Sequence, residues 1–278
     1  MADGVPGADS PMRPVVRETY GPADLSAEPI FGGGFINFGY WKAVDPARPP
    51  GEPERIRSQR DLYRHVLDAA ALRGPDRVLE VGCGLGRGCA LALEEYGPAA
   101  VTGLDVHPQQ LRRARELHTD LLRRAPDRLR FVQGAAERIP SEDEAYDAVV
   151  SVEAAQHFPD LTAFAEEAAR ILRPGGRTAV ASFFTVDDAP TRPGQLADLL
   201  ETYANGLDLA RPVAALADAF SAAGLTEVRV EPIGAQVWPG WDRWLSRWWA
   251  AGTWPRNFLR AYEDGILDYY TVTAVRAR

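Results

Sequence analysis

The sequence has few cysteines, a single lysine and no apolar run long enough to cross a membrane. Two cysteines, Cys83 and Cys89, cannot build the disulfide framework of a small secreted domain, and this favours a cytoplasmic setting. Residues 1–12 contain no apolar segment, so we expect neither a signal peptide nor a membrane partner. The four histidines are scattered along the chain, and the sequence therefore predicts no metal site.

Positive charge is outnumbered by negative charge. The formal net charge is −8 at pH 7, and Lys42 is the only lysine, so nearly every cation is an arginine. No predicted element has a cationic face, which argues against non-specific binding of nucleic acid. The 46% of hydrophobic residues is enough for a sizeable core. A chain of 278 residues then fits one α/β domain with additional segments, or at most two domains.

A glycine-rich loop joins a predicted strand to a predicted helix. Residues 77–81 form a short apolar run with β-branched side chains, which is typical of a buried parallel strand. Residues 89–95 favour a helix. The loop between them carries Gly82, Gly84, Gly86 and Gly88. Because glycine lacks a Cβ atom and a helix N-terminus offers free N–H groups, this arrangement predicts a nucleotide-binding loop.

The glycine spacing is Gly-x-Gly-x-Gly, with Glu80 two residues ahead. A dinucleotide-binding loop would have glycine at its sixth position, where this chain has Arg87. The stretch instead resembles the first motif of class I S-adenosylmethionine-dependent methyltransferases, which has the form Glu/Asp-x-Gly-x-Gly-x-Gly. The resemblance implies S-adenosylmethionine as cofactor, S-adenosylhomocysteine as its product, and Glu80 near the ammonium group. A strand-end acid facing water is the other interpretation of Glu80.

An acid closes the second predicted strand, residues 100–105. Asp105 follows the glycine loop by a little over twenty residues, where a carboxylate can accept hydrogen bonds from both ribose hydroxyls. It could also cap the helix that begins near Pro108. The remaining cofactor contacts implied by the resemblance are Val106 beside the ribose or adenine, Ala136 and Glu137 in the adenine-facing loop, Gln59 near the cofactor carboxylate, and a lid at Tyr40 and Trp41. A cap on the core is the alternative for that lid.

A Glu-x-x-x-His-x-Pro-Asp pattern follows the fourth predicted strand, from Glu153 to Asp160. It resembles bacterial sugar and natural-product methyltransferases of the rebeccamycin type and tocopherol-type enzymes. His157 titrates near neutrality and can accept a proton from an alcohol, phenol or ammonium nucleophile; a structural histidine is the alternative. Gln156 and Ser182 stand where the rebeccamycin-type enzyme has histidine and aspartate. Glu153 is predicted at the cofactor site and, with Gln156, as an orienting group.

Tryptophan is concentrated near the C-terminus, where residues 238–254 contain six of the seven. Several recur at helix spacing, so one face of a predicted helix is aromatic. The residues predicted to line a pocket for a flat or apolar substrate are Trp41, Phe183, Trp241, Trp244 and Trp248. Core packing and an exposed dimer patch are the alternatives.

Together these features predict an α/β fold with a doubly wound, seven-stranded, mostly parallel sheet of the Rossmann-like class. Residues 1–55 are expected to hold a loose arm (residues 1–16) and a lid, and residues 56–278 the methyltransferase domain with a substrate-side insertion at 234–265. The expected function is methyl transfer to an O or N atom, less readily C, of a small natural product in bacterial secondary metabolism. A cofactor-binding cyclase or scaffold and a nicotinamide-dependent oxidoreductase are the alternatives, and a homodimer is left open.

Overall fold

A computed structural model describes residues 12–278, and most of the arm predicted at residues 1–16 lies outside the described residues. The helices are α1 Pro14–Tyr20, α2 Glu52–Ala69, α3 Arg87–Leu91, α4 Pro108–Leu117, α5 Thr119–Arg124, α6 Leu161–Ile171, α7 Arg192–Leu199, α8 Glu201–Ala204, α9 Val213–Ala222, α10 Gly234–Leu245 and α11 Asn257–Glu263. The strands are β1 Arg77–Val81, β2 Ala100–Asp105, β3 Leu129–Gln133, β4 Tyr146–Val152, β5 Leu172–Thr185, β6 Leu225–Pro232 and β7 Leu267–Arg276.

The seven strands form one sheet in the order β3-β2-β1-β4-β5-β7-β6. The first five strands in this order are parallel, and β7 runs antiparallel between β5 and β6. Strand order therefore reverses between β1 and β4, where an open α/β sheet forms a crevice at the carboxyl ends of its strands. The predicted doubly wound, seven-stranded, mostly parallel sheet is confirmed.

Helices cover both faces of the sheet, because its central strands are apolar on both sides. One apolar core lies under α2 and includes Leu62 and Val66, and the other lies under α6 and α9 and includes Phe164 and Phe220. Within residues 12–278, no helix combines the length and the hydropathy needed to cross a membrane.

The described part of the arm is ordered as a helix. α1 begins at Pro14 and ends at Tyr20, and Val16 on this helix is buried. Arg113 donates to the backbone carbonyls of Tyr20 and Gly21, at 3.1 and 2.8 Å, which ties the end of α1 to α4. The prediction of a loose arm is therefore wrong for residues 14–16, because a buried side chain and these hydrogen bonds hold them on the core.

The aromatic helix is shorter than its tryptophan spacing predicts. α10 ends at Leu245, so Trp248 and Trp249 belong to the following loop and not to the helix. Trp241 and Trp244 do face the same buried side of α10. Periodicity identified the apolar face correctly, but it continued by chance into a segment that forms turns.

Candidate active site

A cavity opens at the carboxyl ends of β1, β2 and β4, the position expected for an open α/β sheet. It contains about 1120 Å3 of space, part of which is open to solvent. α1 and residues 34–36 cover it from the N-terminal side. The sequence-predicted site residues that line this cavity are Gly82, Gly84, Asp105, Val106, Ala136, Glu137, Glu153 and His157.

Glycine is required in the loop after β1 for two reasons. Gly82 and Gly84 both have positive φ, +74° and +50°, which side chains other than glycine rarely adopt. A Cβ atom on Gly82 would come within 2.3 Å of Ala154 Cβ, whereas one on Gly84 would meet no atom within 4 Å. Gly82 thus permits close packing of two strand ends, and Gly84 leaves room on the cavity side.

Gly86 has a different role from the one predicted. It is the N-cap residue of α3, with a φ of +67°, and it does not line the cavity. A Cβ atom there would lie 2.3 Å from the Phe131 ring. The prediction of cofactor contact is corrected, since Gly86 allows the chain to turn into α3 against β3.

Asp105 joins the glycine loop to the end of β2. Its Oδ2 accepts a hydrogen bond from Gly84 N and its Oδ1 from His107 N, each at 2.8 Å. Burial raises the pKa of Asp105, and these two N–H donors act against the rise. Because each carboxylate oxygen has a second lone pair, the group can still accept two further hydrogen bonds from a ligand diol.

Glu80 supports the loop from behind and does not line the cavity. Its carboxylate accepts hydrogen bonds from Tyr63 Oη and Cys89 Sγ, each at 2.9 Å. Burial raises the pKa of Glu80 to about 7. The side chain points toward α2 and α3, and Tyr63 lines the cavity, so contact of Glu80 with the cofactor ammonium stays a prediction.

Two further cofactor predictions fall outside the cavity. Tyr40 stacks on His65, with ring centroids 4.8 Å apart, and Gln59 is fully buried and donates to the Phe35 carbonyl. Gln59 thereby holds Phe35, which does line the cavity. Both side chains are directed at neighbouring segments, and their contact with the cofactor stays a prediction.

Hydrogen bonds fix the orientation and the tautomer of His157. Its Nδ1 lies 3.1 Å from the Leu207 carbonyl and 3.2 Å from Asp208 Oδ1, and both of these atoms can only accept. The proton therefore sits on Nδ1. Nε2 carries a lone pair, and it accepts hydrogen bonds from the Tyr20 hydroxyl at 2.9 Å and from the Gln156 amide at 3.2 Å.

Charge at this histidine is set by burial. Burial lowers the pKa of His157, although the Asp208 carboxylate acts in the opposite direction. Burial also raises the pKa of Tyr20, so the phenol stays protonated and acts as the donor to Nε2. At neutral pH His157 is an uncharged imidazole with an acceptor nitrogen at the cavity, which is the form a general base needs.

Glu153 is a strained, buried acid between this histidine and the aromatic core. Its φ is +49°, unusual for a residue other than glycine, and its Oε1 accepts from Phe38 N at 2.6 Å and Tyr269 Oη at 3.0 Å. Burial raises the pKa of Glu153 to about 8. The predicted partner of Glu153, Gln156, bonds it only through the backbone, as Gln156 Nε2 donates to the Glu153 carbonyl at 3.0 Å.

Sequence reasoning missed four side chains of the site. Tyr20, Arg13 and Arg87 line the cavity, and Asp208 lies behind His157. Arg13 donates to the carbonyls of His157 and Leu207, each at 3.2 Å. Arg87 begins α3, lies over the Phe35 ring, and its buried Nε has no hydrogen-bond partner among the described residues. Only Arg87 carried a sequence signal, as the charged residue next to the glycine loop.

The five predicted substrate contacts do not line the cavity. Four of them are buried, with Phe183 and Trp241 stacked on Phe38 at 5.5 and 4.8 Å, Trp244 donating to the Ile30 carbonyl at 2.9 Å, and Trp41 packed against Gly240. Trp248 is instead exposed in the loop after α10. The structure therefore places the four buried rings in the core, and their contact with a substrate stays a prediction.

Within residues 12–278, no cluster of three or more histidine, cysteine, aspartate or glutamate side chains is arranged to hold a metal ion.

Comparison with known proteins gives consistent matches. A family model described as a methyltransferase domain matches residues 79–180. A probable phthiotriol/phenolphthiotriol dimycocerosates methyltransferase 2 of Mycobacterium ulcerans is 34% identical over 75% of this chain and 69% of its own length. Erythromycin 3''-O-methyltransferase of Saccharopolyspora erythraea is 31% identical over 77% and 70%. A crystal structure of geranyl diphosphate C-methyltransferase from Streptomyces coelicolor shares the fold, with a TM-score of 0.79 at 18% identity over 97% and 100% of the two chains.

Proposed function

The chain belongs to the class I S-adenosylmethionine-dependent methyltransferases, and on that premise we propose that it methylates a hydroxyl oxygen of an apolar small molecule, with His157 as the general base. The observation that carries this proposal is the 2.9 Å hydrogen bond between Tyr20 Oη and His157 Nε2 at the cavity. A hydroxyl group already lies on the acceptor nitrogen of the imidazole. A substrate hydroxyl that displaces Tyr20 would find the same partner.

The glycine-loop side of the cavity fits the cofactor. Gly84 leaves space against the backbone, and the Asp105 carboxylate can accept from a ribose diol. Val106 and Ala136 offer apolar surface for the adenine, and Arg87 offers a cation for the carboxylate of the amino acid tail. When bound, S-adenosylmethionine supplies a methyl group that its sulfonium has already activated for transfer.

The opposite side of the cavity takes up the proton of the substrate hydroxyl that accepts the methyl group. His157 Nε2 would take the proton of the acceptor hydroxyl as its oxygen accepts the methyl group and the bond between that methyl group and the sulfonium breaks, which leaves S-adenosylhomocysteine. Leu207 and Asp208 keep the Nδ1–H in place, so that Nε2 faces the cavity throughout. The Asp208 carboxylate then stabilises the imidazolium that forms.

The surroundings of His157 favour an apolar acceptor. The cavity wall includes the apolar side chains of Val16, Ile36 and Phe158, together with the protonated phenol of Tyr20. Apolar walls with few polar groups are typical of sites for natural products and lipids. The two curated relatives support this class, because one is named a phthiotriol/phenolphthiotriol dimycocerosates methyltransferase and the other an erythromycin 3''-O-methyltransferase.

We also retain the predicted division of the chain as a proposal. In it, residues up to 55 act as a lid, and residues 234–265 form an insertion of the domain that follows. The contacts of α1 and residues 34–36 with the cavity support the lid. A homodimer stays a prediction.

The proposal is tested with a panel of lipophilic alcohols and phenols, each paired with its methyl ether and its amine analogue. The enzyme is incubated with S-adenosylmethionine carrying a trideuterated methyl group, and products are analysed by mass spectrometry. We expect the label only in compounds with a free hydroxyl. Label on nitrogen or carbon would contradict the oxygen acceptor, and conversion of a substrate without label would support a cyclase.

A further inference from the structure

An exposed aromatic segment follows α10, and we define the tryptophan loop as residues 246–256. Trp248 and Trp254 in this loop are 42% and 41% exposed. The other large apolar side chains exposed in the described chain, Leu117, Val186 and Val230, lie singly on other segments. Two exposed indoles within one short loop are unusual for a surface in contact only with water, and tryptophan is enriched where proteins meet the headgroup region of a bilayer.

The segment that contains the tryptophan loop carries positive charge, and acids lie directly before and after it in the sequence. Residues 243–262 contain four arginines and no acid, whereas the chain has a net charge of −8. Two of these arginines are paired with acids just outside the segment, Arg256 with Asp242 at 2.7 Å and Arg260 with Asp264 at 3.5 Å. The other two, Arg243 and Arg247, donate to the backbone carbonyls of Pro46 and Pro50.

Arg247 is placed together with the exposed indole. Its guanidinium lies 5.4 Å from the Trp248 ring centroid and 4.8 Å from that of Trp244. The cation and the indole therefore present one combined surface, with an apolar ring beside a positive charge. This combination is complementary to an anionic lipid surface, where the indole lies at headgroup depth and the cation meets lipid phosphates.

The tryptophan loop is connected to the wall of the cavity. Trp244, at the end of α10, donates to the Ile30 carbonyl at 2.9 Å, and Trp241 stacks on Phe31 at 6.3 Å. The chain then continues through Gly34 and Phe35, which line the cavity. A surface held by the tryptophan loop would thus lie close to a segment that covers the cavity.

From these observations we propose that the tryptophan loop docks the protein on the surface of an anionic lipid bilayer, from which an apolar acceptor can be drawn. A lipid bilayer as partner departs from our expectation from the sequence, which was that the protein has no membrane partner. A second copy of the chain fits less well, because a two-fold contact through this loop would place Arg247 against its own copy. The docking itself does not require the proposed methylation, and the two are tested separately.

The experiment is co-sedimentation of the full chain with vesicles, without cofactor or substrate. Vesicles of phosphatidylcholine mixed with phosphatidylglycerol are compared with vesicles of phosphatidylcholine alone, at low and high salt. We expect binding to the anionic vesicles only, weakened by salt. Combined Trp248→Ala and Trp254→Ala substitution should weaken it at least about tenfold, and Arg247→Gln about fivefold, the contribution of one basic residue near an anionic surface.

The matched control is Leu117→Ala, which removes an equally exposed apolar side chain from α4 and should leave vesicle binding unchanged. Circular dichroism of each variant verifies the fold. Absence of binding to anionic vesicles by the wild-type chain would overturn the proposal. So would binding that the tryptophan and arginine substitutions leave intact, or a loss of self-association in size-exclusion chromatography with no effect on vesicles. None of these results would bear on the labelling experiment above.

Discussion

The two sides of the cavity are built in different ways. The cofactor side is local, since Asp105 accepts from Gly84 and His107, which lie 21 and 2 positions away and follow neighbouring strands. The acceptor side is assembled from distant segments, since Tyr20 and His157 lie 137 positions apart and contact through side chains. Backbone geometry defines the first side, and side-chain orientation defines the second.

The two sides therefore have different tasks, cofactor binding on one and proton transfer on the other. On the cofactor side the groups facing the cavity include backbone atoms of the glycine loop, the Asp105 carboxylate and the Arg87 guanidinium, which can hold a ligand. On the acceptor side the groups are an imidazole and a phenol with fixed proton positions. Substitutions on the first side should therefore change cofactor affinity, and substitutions on the second side should change turnover. The predictions below test that separation.

The largest effect is expected for His157→Ala. Removing the base should lower turnover about 10²–10⁴-fold, the usual contribution of general base catalysis, while the dissociation constant for S-adenosylmethionine stays within about twofold of wild type because the histidine contributes no contact on the cofactor side. Steady-state kinetics and calorimetry measure the two quantities. His65→Ala, a histidine away from the cavity that bonds Thr271, is the control. Wild-type turnover in His157→Ala would falsify the base assignment.

Asp105→Ala should have the opposite profile. Loss of a carboxylate that binds a ribose diol removes hydrogen bonds to a charged group, and affinity for S-adenosylhomocysteine should fall about 10–100-fold. Turnover at saturating cofactor should change much less. Asp147→Ala provides the control, because that acid also accepts a backbone N–H but lies at the opposite end of the sheet. Equal affinities in wild type and Asp105→Ala would remove the ribose assignment.

Asp208→Asn tests how Asp208 changes the pKa of His157 on the acceptor side. Turnover in the wild type should fall as pH drops through the pKa of His157, which burial holds below its ordinary value of 6.5. Asp208 raises that pKa, so its neutralisation should move the acidic limb to lower pH. Maximal turnover should also fall about tenfold, since the imidazolium loses its anionic partner. A pH–rate profile that only scales down, with the limb unmoved, would assign Asp208 a structural role.

Glu153→Gln should show the smallest effect, on stability. A carboxyl whose pKa is raised to about 8 in the folded state keeps its proton where the unfolded chain loses it. Wild-type stability should therefore decline as pH rises from about 4.5 to about 8, by up to a few kcal/mol, and the glutamine variant should lack this component. Urea midpoints at pH 5 and pH 9 measure it. Parallel changes in both proteins would show that Glu153 ionises freely.

The same difference explains how much of the site could be predicted from sequence. The apolar run at residues 77–81, the glycines and Asp105 encode a strand, a turn and a strand end, so the sheet and the cofactor side followed from local patterns. Asp208 lies in a loop after α8, and no spacing relates it to His157 or to Tyr20. Its role depends on which loop packs beneath the histidine, and that is decided by tertiary structure.

The spacing of residues in a sequence does not give the direction in which their side chains point. Glu80 has the right position in the motif, but its side chain points to Tyr63 and Cys89 behind the loop. The tryptophans of α10 have the right period for an apolar face, but period does not say whether that face meets a ligand or a core. In this chain Trp241 meets Phe38 and Phe31.

We infer that Asp208 and Leu207 hold His157 as a neutral imidazole, with its proton on Nδ1 and with Nε2 as the hydrogen-bond acceptor. Two-bond proton–nitrogen correlation NMR of the ¹⁵N-histidine-labelled protein at pH 7 tests this directly, with the His157 signal assigned by its loss in His157→Gln. We expect a protonated Nδ1 and an unprotonated Nε2 on the His157 ring. A proton on Nε2, or a doubly protonated ring at pH 7, would contradict it.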